Sequence, residues 1–425
     1  MALERLDVRG LGDRLDAALP RPAPDDDVTE AVAAIVAEVR RDGDDALRVF
    51  TSRFDGVEVV DFRVPSTEVE AALGRVPEAL REALEVAHKR IVAYHELDVA
   101  EPIEFSSDGV RVTDLVRPMA RVGCYAPGGR ARYPSTVLMC ATPARVAGVR
   151  ELVLCVPPGA GGAVDDATLA AAAIAGIDEV YRVGGAQAVA ALAYGTPSIG
   201  RVDAIVGPGN AFVAEAMRQV AGVVGIPAAF AGPSEVLVVA GPETDAGLAA
   251  VDLAVQAEHG PGGLSWLVSW SEDKLAEVDR ALEEIVAASP RRAELAATLG
   301  SGGYACLVDG PEQAMAVANV VAPEHLELLV DDARALLPLV ESAGAVFLGP
   351  WTPASLGDYV AGPNHVLPTN RSARFASALS TRDFRRHIHA VEADRAALDQ
   401  LGAHVVALAT AEGLAAHAES IERRR

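Results

Sequence analysis

Four short stretches of the chain carry acid, amide and imidazole side chains close together. They are Gln256-Ala257-Glu258-His259-Gly260, Ala322-Pro323-Glu324-His325-Leu326, the run from Gly357 to Thr369 with Asp358 and His365, and the pair Glu412 and His417. Carboxylates and imidazoles are common proton carriers at active sites, and together with amide oxygens they also bind divalent metal ions. These residue types therefore predict proton transfer, a metal site, or both.

Glu324 and His325 are adjacent and follow Pro323, so we expect them where a loop enters a helix or a strand. An adjacent carboxylate and imidazole offer two proton acceptors of different basicity, which suits a reaction with more than one proton transfer. An alternative of equal weight is an ordinary helix start, in which the helix dipole favours a glutamate and the histidine is exposed without a role in proton transfer.

Gln256 and His259 are three residues apart at a predicted helix end, so their side chains point the same way. The alternative is an ordinary helix C-terminus closed by glycine, where the dipole favours histidine. Asp358 and His417 could complete a mixed oxygen and nitrogen ligand set. Such sets, without thiolate, are typical of catalytic zinc. The spacing alone leaves both interpretations open.

The run 357–369 contains two glycines and two prolines, which disfavour a regular helix or a central strand. We expect a rigid loop that holds Asp358 and His365 at fixed angles. A polar turn that bonds its own backbone is the alternative. Glu412 and His417 are five residues apart, roughly 140° around a helix. If both serve one site, we expect Glu412 at the helix entrance.

Two series of apolar runs alternate with alanine-rich helical stretches and predict the elements that position these residues. The strands are expected at 121–125, 152–156, 179–183 and 203–206, and then at 235–239, 264–268, 305–308 and 345–348. Apolar strands separated by helices indicate parallel sheets covered on both faces. Further helices are expected at 28–43 and 76–97, whereas the end of the chain is predicted to be helical with no strand.

Polar residues follow glycines at several predicted strand ends, as in Gly184-Gly185-Ala186-Gln187 and Gly207-Pro208-Gly209-Asn210. Ligands of open parallel sheets bind at the carboxyl ends of strands, so these loops and Tyr125 are candidates for a cofactor site. The chain has no G-x-G-x-x-G fingerprint, and ordinary strand–helix turns are a strong alternative. Ser234, between the two series, is either a cap or a polar contact to a ligand.

Composition and charge exclude several classes of protein. The 425 residues are 50% hydrophobic and 23% charged, and the formal net charge of −23 argues against a nucleic-acid partner. No apolar run reaches the roughly 18–20 residues that cross a bilayer, and the N-terminus lacks the pattern of a signal peptide. The four cysteines are scattered and resemble core residues of a reducing compartment. We expect a cytoplasmic protein of two or three domains, bound to neither membrane nor nucleic acid.

Taken together, the ordered motifs resemble the histidinol dehydrogenase family over nearly the whole chain. The matching pieces are Tyr125-Ala126-Pro127-Gly128-Gly129, Gly184-Gly185-Ala186-Gln187, Gly207-Pro208-Gly209-Asn210-Ala211-Phe212-Val213, Ala231-Gly232-Pro233-Ser234-Glu235-Val236-Leu237, and the stretches around His259, His325 and His365. Each motif is modest alone, whereas the ordered set is specific.

The resemblance implies a role for each matched position. It implies zinc ligands at Gln256, His259, Asp358 and His417, and proton transfer by Glu324 and His325. It implies substrate contacts at Ser234, His365 and Glu412, and the zinc ligands and His325 are also expected to contact the substrate. It implies NAD contacts at Tyr125, Gln187 and Asn210. The expected reaction is the zinc- and NAD-dependent, four-electron oxidation of L-histidinol through L-histidinal to L-histidine, with one zinc per subunit and two NAD consumed per turnover.

The fold that the resemblance implies is α/β, with two incomplete Rossmann-like domains, helical extensions at both ends, and an intertwined homodimer with shared active sites. The expected division is an N-terminal helical arm at 1–24, a first α/β domain from 25–119 and 233–375, an NAD-binding α/β domain at 120–232, and a helical tail at 376–425 that reaches the partner subunit. One alternative is a relative that oxidises another small polar alcohol, such as a sulfonated diol. A non-catalytic metal-binding or regulatory protein would require a missing catalytic or cofactor position, and all are present.

Overall fold

The structure is a computed structural model that describes residues 3–21, 27–98, 102–128, 132–227, 232, 234–258, 260 and 262–425. The strands are β1 Glu4–Asp7, β2 Arg63–Val64, β3 Glu104–Ser107, β4 Val110–Pro118, β5 Arg121–Tyr125, β6 Glu151–Val156, β7 Glu179–Arg182, β8 Ala204–Val206, β9 Glu235–Ala240, β10 Leu264–Ser269, β11 Gly303–Leu307, β12 His325–Leu329, β13 Ala345–Leu348 and β14 Arg385–Ala393.

The α-helices fall mainly between these strands. They are α1 Leu15–Ala18, α2 Thr29–Asp42, α3 Asp44–Asp55, α4 Ser66–Ala72, α5 Glu78–Leu97, α6 Pro134–Ala147, α7 Asp166–Ile174, α8 Gly185–Tyr194, α9 Ala211–Val220, α10 Ala246–Ala257, α11 Glu272–Ala288, α12 Arg292–Gly302, α13 Pro311–Val321, α14 Ala333–Leu336, α15 Ala354–Tyr359, α16 Arg395–Ala411 and α17 Ala415–Glu422. Among the described helices, none is both long and apolar enough to cross a membrane.

Two parallel sheets form the body of the molecule, as the two series of apolar runs predicted. The larger sheet has the order β1-β11-β10-β9-β12-β13 and is parallel throughout. The smaller has the order β2-β7-β6-β5-β8, in which only the short β2 is antiparallel. A third, antiparallel sheet has the order β14-β4-β3. The prediction of an α/β fold with parallel sheets is confirmed.

Both faces of the larger sheet are buried, which explains why its strands read as continuous apolar runs. Along β9, Val236 and Val238 pack with Leu253 of α10, whereas Leu237 and Val239 pack on the opposite face with Leu326. The same alternation along β12 places Leu326 and Leu328 on one face. Its other residues, including His325, therefore lie on the face that α10 covers.

Two strands near the ends of the chain were missed. The expected N-terminal helical arm begins with β1, an edge strand parallel to β11, flanked by the buried Leu3 and Val8. The expected helical tail contains β14, which pairs with β4 along nine residues. No residue of β14 is buried. The strand therefore lacks the alternation of apolar and polar residues by which a sequence predicts a half-buried strand.

The helices of residues 29–97 pack on the smaller sheet rather than on the larger one. Val32 and Val39 of α2 share a core with Val153 and Tyr181. Ile91 of α5 joins the core on the other face of the same sheet. This packing contradicts the grouping of 25–119 with 233–375. We propose instead one unit from 27–98 and 121–227, a second from 3–21 and 234–348, and a third from 104–118 and 385–425.

Gly207 marks a close backbone approach at the carboxyl end of the smaller sheet. It follows β8 with φ of +125°, and a Cβ there would lie 2.0 Å from the carbonyl oxygen of Tyr125, the last residue of β5. Only glycine combines this conformation with this proximity. The edge of the sheet therefore depends on a residue without a side chain.

We expect Gly207→Ala to lower the free energy of unfolding by about 3 kcal/mol, because a strained φ and a backbone clash add together. Gly222→Ala is the matched control, since Gly222 has φ of +92° but no atom within 4 Å of an added Cβ. That control should lose only about 1 kcal/mol. Urea unfolding of both variants measures the difference, and equal losses would contradict the close approach.

Candidate active site

Glu324 and His325 lie at the amino end of β12, where the chain leaves α13 and enters the larger sheet. Ala322 ends α13 in the left-handed region, with φ of +48°. The neighbouring strand β9 then holds both residues. The backbone N–H of Glu235 donates to Glu324 Oε2 at 3.0 Å, and its carbonyl oxygen lies 3.2 Å from His325 Nδ1. The sequence predicted a loop that enters a helix or a strand, and the structure shows the strand.

Both ring nitrogens of His325 face acceptors. Nδ1 donates to the Glu235 carbonyl, and Nε2 lies 3.1 Å from Asp358 Oδ1. Burial alone would lower the pKa of His325, but the carboxylates of Glu324 and Asp358 outweigh it and raise the pKa to about 9. The imidazole therefore carries a positive charge at neutral pH in this arrangement. The ring of Phe347 stacks on it with centroids 5.8 Å apart.

Glu324 is a carboxyl group tuned towards neutral pH. Burial raises its pKa to about 7, against the opposing effect of the His325 charge. Glu235 beside it is also buried, and burial followed by repulsion from Glu324 raises the pKa of Glu235 to about 8. General bases work best when their pKa lies near the operating pH, so Glu324 has the properties of one.

Asp358 lies in a helix and not in the loop that the sequence predicted. It belongs to the short helix α15, and the loop begins only after Tyr359. Gly357 permits this packing, because a Cβ at that position would lie 2.4 Å from the Phe347 ring. The glycine that indicated a loop instead allows a helix to approach an aromatic side chain closely.

His365 lies in the following loop and is fixed on both sides. Its Nδ1 donates to the Asp358 carbonyl at 2.7 Å, and its Nε2 is 3.2 Å from Thr136 Oγ1 of α6. When the ring is neutral with its proton on Nδ1, Nε2 accepts a hydrogen bond from the Thr136 hydroxyl. His365 thereby connects α15 to the smaller sheet's unit.

A cavity of about 80 Å³ lies between the two parallel sheets. Gly207 and Gly209, from the carboxyl edge of the smaller sheet, form one side. Ser234, Glu324 and His365 form the other, at the amino edge of the larger sheet. The structure thus brings Ser234, Glu324, His325, Asp358 and His365 into one neighbourhood, and their roles stay a prediction.

The predicted metal ligands are only partly assembled. Gln256 lies buried in the last turn of α10, and its Nε2 has no acceptor among the described residues. His259 lies outside the described residues. Glu412 and His417 are exposed, the first directly after α16 and the second within α17. In the part of the chain that the structure describes, no three His, Cys, Asp or Glu side chains gather to hold a metal ion.

The predicted cofactor residues occupy the carboxyl edge of the smaller sheet. The Tyr125 hydroxyl accepts the Gly185 N–H at 3.1 Å. Gln187 is buried in the first turn of α8, and its Oε1 lacks a donor among the described residues. Asn210 caps α9 by accepting the Val213 N–H at 3.1 Å. The Asn210 oxygen is therefore used by an ordinary strand–helix turn, whereas the Gln187 oxygen is buried without a donor among the described residues.

Three buried acids near the site were missed by sequence reasoning. Glu235 and Glu327 lie within apolar strands, and Asp252 lies within α10; all three are at most 7% exposed. Each was hidden by its apolar neighbours. The available signal was the acid itself, because a carboxyl inside a buried strand is costly unless it has a specific partner.

Comparisons with known proteins agree with this geometry. The family model described as histidinol dehydrogenase matches residues 20–425. The chain is 47% identical to a histidinol dehydrogenase of Aromatoleum aromaticum over 100% of this chain and 98% of the relative. It is 46% identical to that of Parasynechococcus marenigrum, over 94% and 91%.

A solved structure supports the same assignment. The crystal structure of histidinol dehydrogenase from Elizabethkingia anophelis superposes with a TM-score of 0.94 at 32% identity, covering 99% of this chain and 98% of that one. A match of this extent in sequence and fold leaves no large part of the chain outside the comparison. The chain belongs to the histidinol dehydrogenase family.

Proposed function

We propose that the protein oxidises L-histidinol through L-histidinal to L-histidine, with NAD as electron acceptor and zinc in the active site. The observation that carries this proposal is the buried Glu324–His325 pair beside the cavity between the two sheets. Family membership supports the substrate, and no observation favours a sulfonated diol or another alcohol. The buried free cysteines are consistent with the reducing cytoplasm as the place of action.

Gln256, His259 and Asp358 would hold the zinc ion together with His417 of the partner subunit. Gln256 would bind the ion through its amide oxygen, and its side chain is buried in the last turn of α10. Zinc would supply a positive charge that orients the amine and imidazole of the substrate. Asp358 engaged as a ligand would hold the Nε2 proton of His325 less strongly, which would favour the neutral imidazole that a base requires.

In the first oxidation, His325 would take the hydroxyl proton while the substrate carbon transfers a hydride to NAD, giving the aldehyde. Glu324 would then take a proton from water as the water adds to that aldehyde, and His325 would return its proton to the carbonyl oxygen, which gives the diol. His325 would take a proton from that diol as a second hydride passes to a second NAD, leaving the carboxylic acid, which ionises. Each oxidation thus removes one hydride and one proton. The pKa of about 7 for Glu324 suits this role near neutral pH.

NAD would bind at the carboxyl edge of the smaller sheet, at Tyr125, Gln187 and Asn210. We infer that this unit is an incomplete Rossmann-like domain, supported by its parallel strands and the glycine turns that follow β7 and β8. The free Oε1 of buried Gln187 can accept a hydrogen bond from the nicotinamide amide or a ribose hydroxyl.

The working form would be an intertwined homodimer in which each C-terminal tail completes the partner's site. Glu412 would contact the substrate there, and His417 would ligate zinc. In support, the helix pair that carries both residues is rich in exposed apolar side chains, including Val405, Leu408 and Leu414. Such a surface is typical of a region covered by another chain.

Purified protein should form two NADH per L-histidinol, because two hydrides leave each substrate molecule. Chelation should abolish this turnover, and zinc should restore it, whereas magnesium should not. NADH absorbance against added substrate gives the stoichiometry. Absence of turnover at full zinc occupancy would overturn the substrate assignment while leaving the fold unaffected.

Replacement Glu324→Gln should impair aldehyde oxidation by about 100-fold or more and spare alcohol oxidation, since the amide cannot take a proton from water. Single-turnover NADH formation from L-histidinol and from L-histidinal separates the two steps. His325→Gln is the matched control, expected to impair both. Equal losses of both steps in Glu324→Gln would contradict the division of labour.

A heterodimer of an Asp358→Ala chain and a His417→Ala chain should recover roughly half of wild-type activity, because exchanged tails leave one of two sites intact. Each homodimer should be inactive. Differently tagged chains, co-expressed and purified together, provide the heterodimer. The pair Asp358→Ala with Gln256→Ala is the control and should stay inactive. If tails served their own chain, the first heterodimer would be inactive too.

A further inference from the structure

Two acids lie buried beneath the proposed zinc site without a role in the proposed reaction. Glu327 is 1% exposed and Asp252 is 7% exposed. Glu327 is two residues beyond His325 on β12 and shares its face of the sheet, the face covered by α10. Asp252 lies on α10, one turn before Gln256. Buried acids of this kind require an explanation, because their ionised forms are costly away from water.

Glu327 connects two elements through its two carboxyl oxygens. Oε1 accepts the backbone N–H of Ala354, the first residue of α15, at 2.9 Å. Oε2 has no N–H or hydroxyl donor within the described residues, and the carboxyl group hydrogen-bonds with Asp252 instead. Two carboxyls can bond to each other only when they share a proton. Burial, followed by the bond with Asp252, raises the pKa of Glu327, and burial raises that of Asp252, which favours one proton shared between the two carboxyls.

Asp252, Glu327 and Ala354 lie at similar distances from three side chains of the active site, Gln256, His325 and Asp358. Asp252 precedes Gln256 by four residues and Ala354 precedes Asp358 by four, which is about 6 Å along each helix. Glu327 follows His325 by two residues, which is about 6.6 Å along the strand. The acid pair therefore contacts α10, β12 and α15 at one height along these elements. Gln256, His325 and Asp358 project from the same three elements about 6 Å further along.

We propose that Glu327 and Asp252 are positioning residues that lock α10, β12 and α15 together and so set Gln256 and Asp358 for the metal ion. The inference rests on the proposed function, since it concerns the proposed zinc ligands. Neither acid lines the cavity between the two parallel sheets. Their effect passes through the Ala354 N–H to the helix that bears Asp358, and along α10 to Gln256.

The test compares two replacements at Glu327 that differ in hydrogen bonding but not greatly in volume. Glu327→Gln keeps both contacts, because its oxygen accepts from Ala354 and its amide N–H donates to Asp252. It should bind zinc within about twofold of wild type. Glu327→Leu loses both contacts and should bind zinc about 10–100-fold more weakly, the usual effect of losing a residue that orients metal ligands. Competition with a chromophoric chelator, on protein checked for folding by circular dichroism, gives each dissociation constant.

Leu328→Ala is the matched structural control. Leu328 is buried in the same strand but packs on the opposite face, so the variant should unfold at a lower urea concentration with zinc affinity unchanged. If Glu327→Leu is not recovered folded, Asp252→Leu/Glu327→Leu replaces it. That double variant leaves no unpaired buried acid and is expected to fold with the same weakened zinc binding.

Three results would overturn the proposal. Unchanged zinc affinity in folded Glu327→Leu or in the double variant would do so, as would a loss in Glu327→Gln equal to that in Glu327→Leu. A loss in Leu328→Ala as large as in Glu327→Leu would show that general destabilisation explains the effect. Failure of the proposed function is separately recognised, because wild-type protein would then bind no zinc or leave L-histidinol unoxidised.

Discussion

The parallel pairing of β9 with β12 is the constraint on which the active site depends. One residue of β9, Glu235, gives its N–H to the Glu324 carboxylate and its carbonyl oxygen to the His325 ring. Backbone groups cannot adopt other rotamers, so both side chains are held by the register of the sheet itself. A shift of one residue in that register would turn His325 to the opposite face. The apolar alternation of both strands, buried on each face, prevents such a shift.

This arrangement gathers several acids around one imidazole in a dry environment. Burial raises the pKa of Glu324 to about 7 and that of Glu235 to about 8, and it also raises the pKa of Glu327. Neighbouring buried carboxyls cannot all be ionised, so some of them remain protonated and neutral. Those protons reduce the electrostatic cost of burial. The same environment gives Glu324 a pKa near the pH at which a base must both accept and release a proton.

The sequence predicted much of this site because its signals are local. Glu324 and His325 are adjacent, and the proline before them and the apolar residues after them indicate a loop entering a regular element. The parallel strands were predicted for a similar reason, since each is a short apolar run between glycine-rich turns. Asp358 was misplaced in a loop because Gly357 serves a tertiary contact, in which α15 approaches the ring of Phe347 on β13, and no local pattern shows that contact.

Other features depend on contacts that no local pattern carries. The strand β14 is held by β4, more than 260 residues earlier, and its exposed side chains have no buried alternation. Glu327 and Asp252 are separated by 75 positions and meet only when α10 packs on β12. In the sequence, one acid stands in an apolar strand and the other in an apolar helix, and burial of each carboxyl alone would be unfavourable. The fold makes them partners, which explains how both are tolerated.

The separation of Glu412 and His417 from the other site residues follows from the same packing. Both lie on a helix pair joined to the body through the antiparallel sheet β14-β4-β3, and not through either parallel sheet. The parallel sheets can therefore form, and can position Glu324, His325 and Asp358, without the tail. In the proposed dimer, the tail would add the last ligand to a site whose other members are already fixed by two packed cores. Proton transfer would then depend on the register within one chain, and metal binding on association between two. This division explains why the buried acids beneath the site matter: they hold Asp358 and Gln256 ready before the partner arrives, so that association need not also order them.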